Sequence, residues 1–289
     1  SFPKARAKAL DEYFKKYNLD YSLDINSNKY AKYPSDITSN SNLDINTFIN
    51  QPNNILGIEY IKALMRFNSK INPVPLKRLG AGYHSLDTRT KLASATGIRT
   101  AMANKDNISG LLPDNCLNII KNHTTIEYND FSTVLGSKLL SMDTLDHIEG
   151  INQDLSNRIA NNKYNFTDIE TFIPMLQSKN YTYSAISRAL LHIILDIKTD
   201  DIKEFISNNY VNYAMILGFN KNTGILSEIN KYTKIPLVSK FATFYKEADN
   251  NQRKMLDINL KADNLYRMIY MNKTSETLPT EFQRQIIIK

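Results

Sequence analysis

Apolar residues along this chain recur mostly at every third or fourth position, the spacing that lines one face of a helix. Phe2, Ala5, Ala9, Leu10 and Tyr13 predict an amphipathic helix from Ser1 to about Tyr17. Ile55, Ile58, Ile61, Leu64 and Met65 predict another, entered through Gln51-Pro52-Asn53-Asn54, where a proline and two asparagines supply turn and cap chemistry. Between them SLDINSNKYAKYPSDITSNSNLDIN is polar, Asn- and Ser-rich, and reads as a loop. Residues 72–79, NPVPLKRL, are short, Pro-bounded and partly alternating, as a strand is. They lead into the glycine loop Gly80-Ala81-Gly82-Tyr83-His84, and a helix follows from Ser94 to Met102.

Beyond Pro113 the pattern changes. Helical periodicity or helix starts appear around 131–142, 143–160, 166–178, 182–197, 199–208, 210–217 and 222–232, and strand signals are few. The expected fold is therefore α/β plus all-α. Helix, strand, glycine loop and helix in residues 1–112 are the order of the closing part of a doubly wound, Rossmann-like α/β domain, and residues 113–289 are expected to form a mainly helical domain.

Charge sharpens this division. Residues 1–112 hold 16 Lys and Arg against 9 Asp and Glu, while residues 113–289 hold 20 of each, so the formal net charge of +7 resides in the first part. A polyanionic partner, nucleotide or nucleic acid, is expected there. No apolar run approaches the roughly 20 residues of a membrane span, and SFPKARAKALDEYFKKY does not read as a signal peptide. The lone Cys116 has no cysteine partner for a disulfide or a thiolate metal site. These features predict a soluble, cytoplasmic protein without membrane association.

Five places carry candidate chemistry. In Ser94-Ala95-Thr96-Gly97-Ile98-Arg99, a hydroxyl can cap the helix. Alternatively, free amides, the Ser94 and Thr96 hydroxyls and the Arg99 guanidinium form an anion site. Asn53 and Asn54 either cap their helix or hydrogen-bond a base or sugar. Arg78, ahead of Gly80-x-Gly82, stands where α/β domains bind ligands. Around 178–188, Lys179, Tyr181, Tyr183 and Arg188 combine cations with aromatics ahead of an apolar helix. That mixture suits RNA phosphates and bases, or else the tyrosines pack inside. Lys240, after Ile235-Pro236-Leu237-Val238-Ser239, is either solvated or close to a backbone phosphate. His84, His123, His147 and His192 show no metal-ligand spacing, so no metal site is expected, and no GxxxxGK[ST] phosphate loop occurs.

PNNILGIEYIKAL at 52–64, KRLGAGYH at 77–84, LASATGIRTAM at 92–102, SKNYTYSAISRALLHIIL at 178–195, YAMILGFNKNTGILSEI at 213–229 and IPLVSK at 235–240 together resemble the bacterial tRNA(Met) cytidine acetate ligase family. The resemblance runs over nearly the whole chain. It implies a nucleotidyltransferase-like enzyme that activates acetate with ATP to acetyl-adenylate and acetylates the wobble cytidine of elongator tRNA(Met). ATP is then a substrate, with Mg2+ a companion ion this chemistry admits. Asn53, Arg78, Ser94, Thr96 and Arg99 would contact ATP, and Lys179, Tyr181, Arg188 and Lys240 would contact tRNA. Gly97, Ser85, Asn180 and Ala185 depart from the Ser, Asp and basic residues usual in that family. The family's His-x-Gly-His head has no counterpart here, since no His-x-x-His spacing occurs. Its catalytic residues are expected upstream of Ser1, this chain alone is expected to be inactive, and a separate chain could supply the head. Two alternatives from other classes stand beside this reading: a non-catalytic tRNA-binding module, and another adenylyl transferase.

Overall fold

The computed structural model describes residues 51–76 and 93–289. The helix expected at 1–17, the loop after it, Arg78 and the Gly80–His84 loop lie outside the described residues. The chain divides into two compact units, Ser1–Leu117 and Asn118–Lys289, a boundary a few residues beyond the division drawn from the sequence.

In the first unit, α1 spans Pro52–Arg66 and α2 spans Ala95–Ala103, with α3, Asp114–Asn122, crossing the boundary. Pro52 occupies the first turn of α1, where a missing N–H costs nothing, and Gln51 is the cap residue, with no side-chain cap bond. The asparagines are thus inside the first turn and do not cap it. Residues 71–76 are irregular, so the described part of the expected strand does not form. Its two prolines explain this: neither can donate to a ladder, and each restricts the residue before it.

The second unit is built from α4 (Ser132–Ser141), α5 (Gln153–Asn162), α6 (Ile169–Leu176), α7 (Tyr183–Leu195), α8 (Thr199–Ser207), α9 (Ile225–Tyr232), α10 (Phe241–Glu247) and α11 (Asn250–Thr274). Its core forms where the apolar stripes of α4 to α7 meet: Leu135 and Leu139, Leu155 and Ile159, Phe172 and Leu176, Ile186, Leu190 and Ile193. Leu145, Ile148 and Ile151 join them from the segment before α5. This segment was expected to be helical, but Gly150 takes a left-handed φ of 82°, and the helix begins only at Gln153. Caps fix the helix starts. Asn152 Oδ1 accepts from Leu155 N at 3.0 Å, Asp168 Oδ1 from Thr171 N at 2.9 Å and Thr182 Oγ1 from Ala185 N at 3.3 Å.

Around this core, α8 is tied to α11 by Lys254, whose Nζ lies 2.8 Å from Asp201 and 2.7 Å from Glu204. Those two carboxylates hold the lysine well above its ordinary pKa. Lys261 of α11 donates to the Leu195 carbonyl at 2.7 Å, closing the C-terminal end of α7.

The expected helix at 210–217 is a correction. Asn209 and Tyr210 take left-handed φ values of 66° and 60°, which stops the helix, and Ala214–Met215 forms strand β1. Gly218–Phe219 is β2, Leu237–Val238 is β3 and Ile287–Ile288 is β4. β1 pairs parallel with β3, and β2 pairs parallel with β4. A Cβ at Gly218 would stand 2.9 Å from the Ile287 carbonyl oxygen, so glycine is what lets the C-terminal strand approach.

Candidate functional site

The first cluster is the N-terminal turn of α2. Ser94, in extended conformation (φ −72°, ψ 153°), accepts from Gly97 N through Oγ at 2.9 Å, and its carbonyl accepts from Ile98 N at 3.0 Å. The amides of Ala95 and Thr96 belong to the first turn and have no intrahelical acceptor. Ser94 is only 1% exposed, so its hydroxyl serves the fold as a cap. Gly97 and Ala101, one turn apart, form the buried side of α2. Thr96 is half-buried, and Arg99 projects into solvent with no ion pair among the described residues. Thr96 and Arg99 are three residues apart and so are neighbours on the helix surface. A half-exposed hydroxyl, a guanidinium and the positive end of α2 therefore gather at one place, an arrangement that suits a phosphate. Asn53 is exposed in the first turn of the separate helix α1, and Arg78 lies outside the described residues.

The second cluster runs along 178–188 in the other unit. Lys179, Asn180, Thr182, Tyr183, Ser184, Ala185 and Arg188 are exposed, while Ile186, Ala189 and Leu190 face the core. Tyr181 corrects the expectation of a stacking aromatic. Its ring packs against the hydrophobic core, and its hydroxyl donates to Asn152 Oδ1 at 2.5 Å. Tyr183 is the outward-facing ring that the sequence paired with it without separating the two. Counting back three residues from Ile186 reaches Tyr183, so periodicity alone would put that ring on the apolar side; it is exposed because it opens the first turn of α7, and nothing local in the sequence separates the two tyrosines. Lys240 is exposed at the start of α10, directly after β3. His192 is structural: its Nδ1 meets the Glu149 carbonyl oxygen at 2.7 Å.

Among the described residues no group of three His, Cys, Asp or Glu side chains could hold a metal ion, and no helix is long and apolar enough to cross a membrane. No carboxylate cluster is in place among the described residues to hold Mg2+.

A family profile described as HIGH Nucleotidyl Transferase matches residues 1–281. The chain belongs to the HIGH Nucleotidyl Transferase family. Its relatives within that family are named tRNA(Met) cytidine acetate ligase. The protein of Caldanaerobacter subterraneus is 35% identical over 228 residues, covering 76% of this chain and 56% of the relative. That of Thermoanaerobacter sp. X514 is 31% identical over 242 residues, covering 81% and 59%. That of Clostridium acetobutylicum is 30% identical over 295 residues, covering 100% and 66%. The chain thus spans less than two thirds of the length of these relatives. Among solved structures, apo Thermotoga maritima TmcAL superposes with a TM-score of 0.79 at 22% identity, covering 100% of this chain and 68% of that one. The same protein bound with alpha-thio ATP gives 0.78, covering 67% of its chain. This likeness shows the fold, and together with the family match it gives this HIGH family member a nucleotidyltransferase-like part and a helical part. The small number of strands among the described residues fits that architecture.

Proposed function

We propose that this chain is part of a tRNA(Met) cytidine acetate ligase, with an ATP-facing first region (1–112) and a tRNA-facing helical region (113–289). The observation that carries the proposal is that relatives bearing that name align at 30% identity or more across both regions. The pairing of a phosphate-suited helix start with a separate unit of exposed cations is what an enzyme joining ATP chemistry to RNA needs.

In the first step a carboxylate oxygen of acetate attacks the ATP α-phosphorus. The bond to the bridging oxygen breaks, pyrophosphate leaves with the electron pair, and acetyl-adenylate forms. In the second, the exocyclic amine of the wobble cytidine attacks the acetyl carbon, AMP leaves, and the amine loses a proton. The residues of this chain contribute placement and charge. Arg99, with Arg78, balances phosphate charge, Thr96 and the first amides of α2 donate to phosphate oxygens, and Asn53 places the nucleoside. Ser94 acts by holding the turn in shape. Lys179, Arg188 and Lys240 meet tRNA phosphates. The 289-residue chain alone is expected to make no acetyl-adenylate, because the His-x-Gly-His motif that the family resemblance ties to this step does not occur in its sequence.

The test is Arg99→Ala in the full-length enzyme that contains this chain. ATP affinity should fall roughly tenfold, the scale of one charge-assisted contact, with the melting temperature unchanged because Arg99 is exposed. Unchanged ATP affinity would remove α2 from the ATP site.

A further inference from the structure

We infer that α9 and the lysines around it form a platform for unpaired nucleotides of the RNA partner, a reading that rests on the proposed tRNA function. α9 buries no residue. Ile225, Ile229 and Tyr232 stand four and three residues apart, so they share one side of the helix, and they are 51%, 44% and 80% exposed. Only Leu226 is half-buried and seats the helix. An apolar stripe left uncovered on a well-formed helix marks a surface for a partner.

The ends of this helix are held firmly. Lys221 N, one turn before it, donates to the Lys289 carbonyl at 2.9 Å, which ties its entry to β4. Gly224 starts it with a left-handed φ of 61°. At its exit the chain turns, with Thr233 Oγ1 accepting from Ile235 N at 3.3 Å, and enters β3, which pairs with β1. α9 is therefore a bridge fixed at both ends with one face open.

Charge selects the occupant. Between residues 220 and 240 the chain carries Lys221, Lys231, Lys234 and Lys240 and one acidic residue, Glu228. All four lysines are exposed, and among the described residues none forms a salt bridge. Lys198, Lys203, Lys254 and Lys273 of the same unit each form a salt bridge, whereas this stretch gathers four lysines against a single carboxylate. An apolar protein surface would not require four uncompensated cations, whereas phosphates do. Tyr232 between Lys231 and Lys234 offers a ring face to a base whose own face is free, so unpaired nucleotides are favoured over a duplex. Glu228 lies one turn before Tyr232 and opposes the phosphates locally.

The experiment titrates the 289-residue chain with three labelled probes: a tRNA(Met) transcript, a short single-stranded RNA oligonucleotide, and the same sequence as a blunt duplex. Tyr232→Ala should weaken single-strand binding about tenfold, the scale of one stacked base, and leave duplex binding unchanged. Tyr232→Phe should bind as wild type, and Glu228→Gln more tightly. Lys231→Ala with Lys234→Ala should reduce the logarithmic salt slope for the single strand by about 1.4, near 0.7 per lost phosphate contact. Wild-type binding of the single strand by Tyr232→Ala, or an equal loss on the duplex, overturns the inference. If wild type binds tRNA and the α9 variants match it, the inference fails while the tRNA reading stands. If wild type binds no tRNA at low salt, the tRNA reading itself fails.

Discussion

α7 and α9 are both amphipathic helices of the second unit, and they meet opposite fates. α7 buries Ile186, Ser187, Ala189, Leu190, Ile193 and Ile194, whereas α9 buries nothing. In α7 the cation, Arg188, is on the side opposite the buried stripe. In α9 the apolar stripe is itself exposed, and so is the one cation of the helix, Lys231. The periodicity that builds a core and the periodicity that builds a binding face are thus the same in the sequence. What separates them is whether neighbouring elements supply enough apolar surface to cover the stripe.

Substitutions in each helix should separate them further. The largest effect is expected for Leu190→Ala, at about 2 to 5 kcal/mol of unfolding free energy in denaturant. Ile229→Ala in α9 should change stability by no more than about 0.5 kcal/mol. Similar losses at both sites would break the comparison. Next is the strand that anchors the entry to α9. Gly218→Val places side-chain atoms against the Ile287 carbonyl and should cost about 1 to 3 kcal/mol. Amide exchange at Ile287–Lys289 should rise while that of α7 stays unchanged.

Smaller is Asn152→Ala, which removes the α5 cap and the acceptor of Tyr181. It should cost about 1 kcal/mol and free the Tyr181 ring, read as a change in tyrosine fluorescence. The last is a pH effect. Burial would raise the Asp130 pKa, but the Glu127 amide and the Lys273 ammonium outweigh it and hold the carboxyl below its ordinary value. A carboxylate lowered in the folded state stabilises above its unfolded pKa, and this contribution is lost as pH falls through the folded value. Stability should therefore fall on acidification below about pH 4, and Asp130→Asn should flatten that fall.

Much of the helical unit was legible because long apolar stripes such as Ile186 to Ile194 admit one reading. The N-cap at Ser94 was legible for the same local reason, a hydroxyl just ahead of a helix start. β1 was not, since Tyr213 to Leu217 is a short apolar run and only its pairing with Leu237–Val238 decides its form. α11 was missed although Asp249 and Gln252 form a capping box, with Asp249 Oδ1 accepting from Gln252 N at 2.8 Å. Its weakly patterned apolar positions hid it, because its packing is partly polar, through Lys254 and Lys261. Tyr181 was misplaced because tyrosine suits both a core edge and a stacking surface, and the Asn152 acceptor lies 29 residues away. Thr96 and Arg99 were legible as a pair, but their exposure was not.

The most direct measurement is a titration of the 289-residue chain with elongator tRNA(Met) across a salt series. Saturable binding is expected, weakening linearly in log–log form as salt rises, with a smaller slope for Lys179→Ala/Arg188→Ala and for Lys231→Ala/Lys234→Ala. No binding at low salt, or affinity independent of salt, would contradict it.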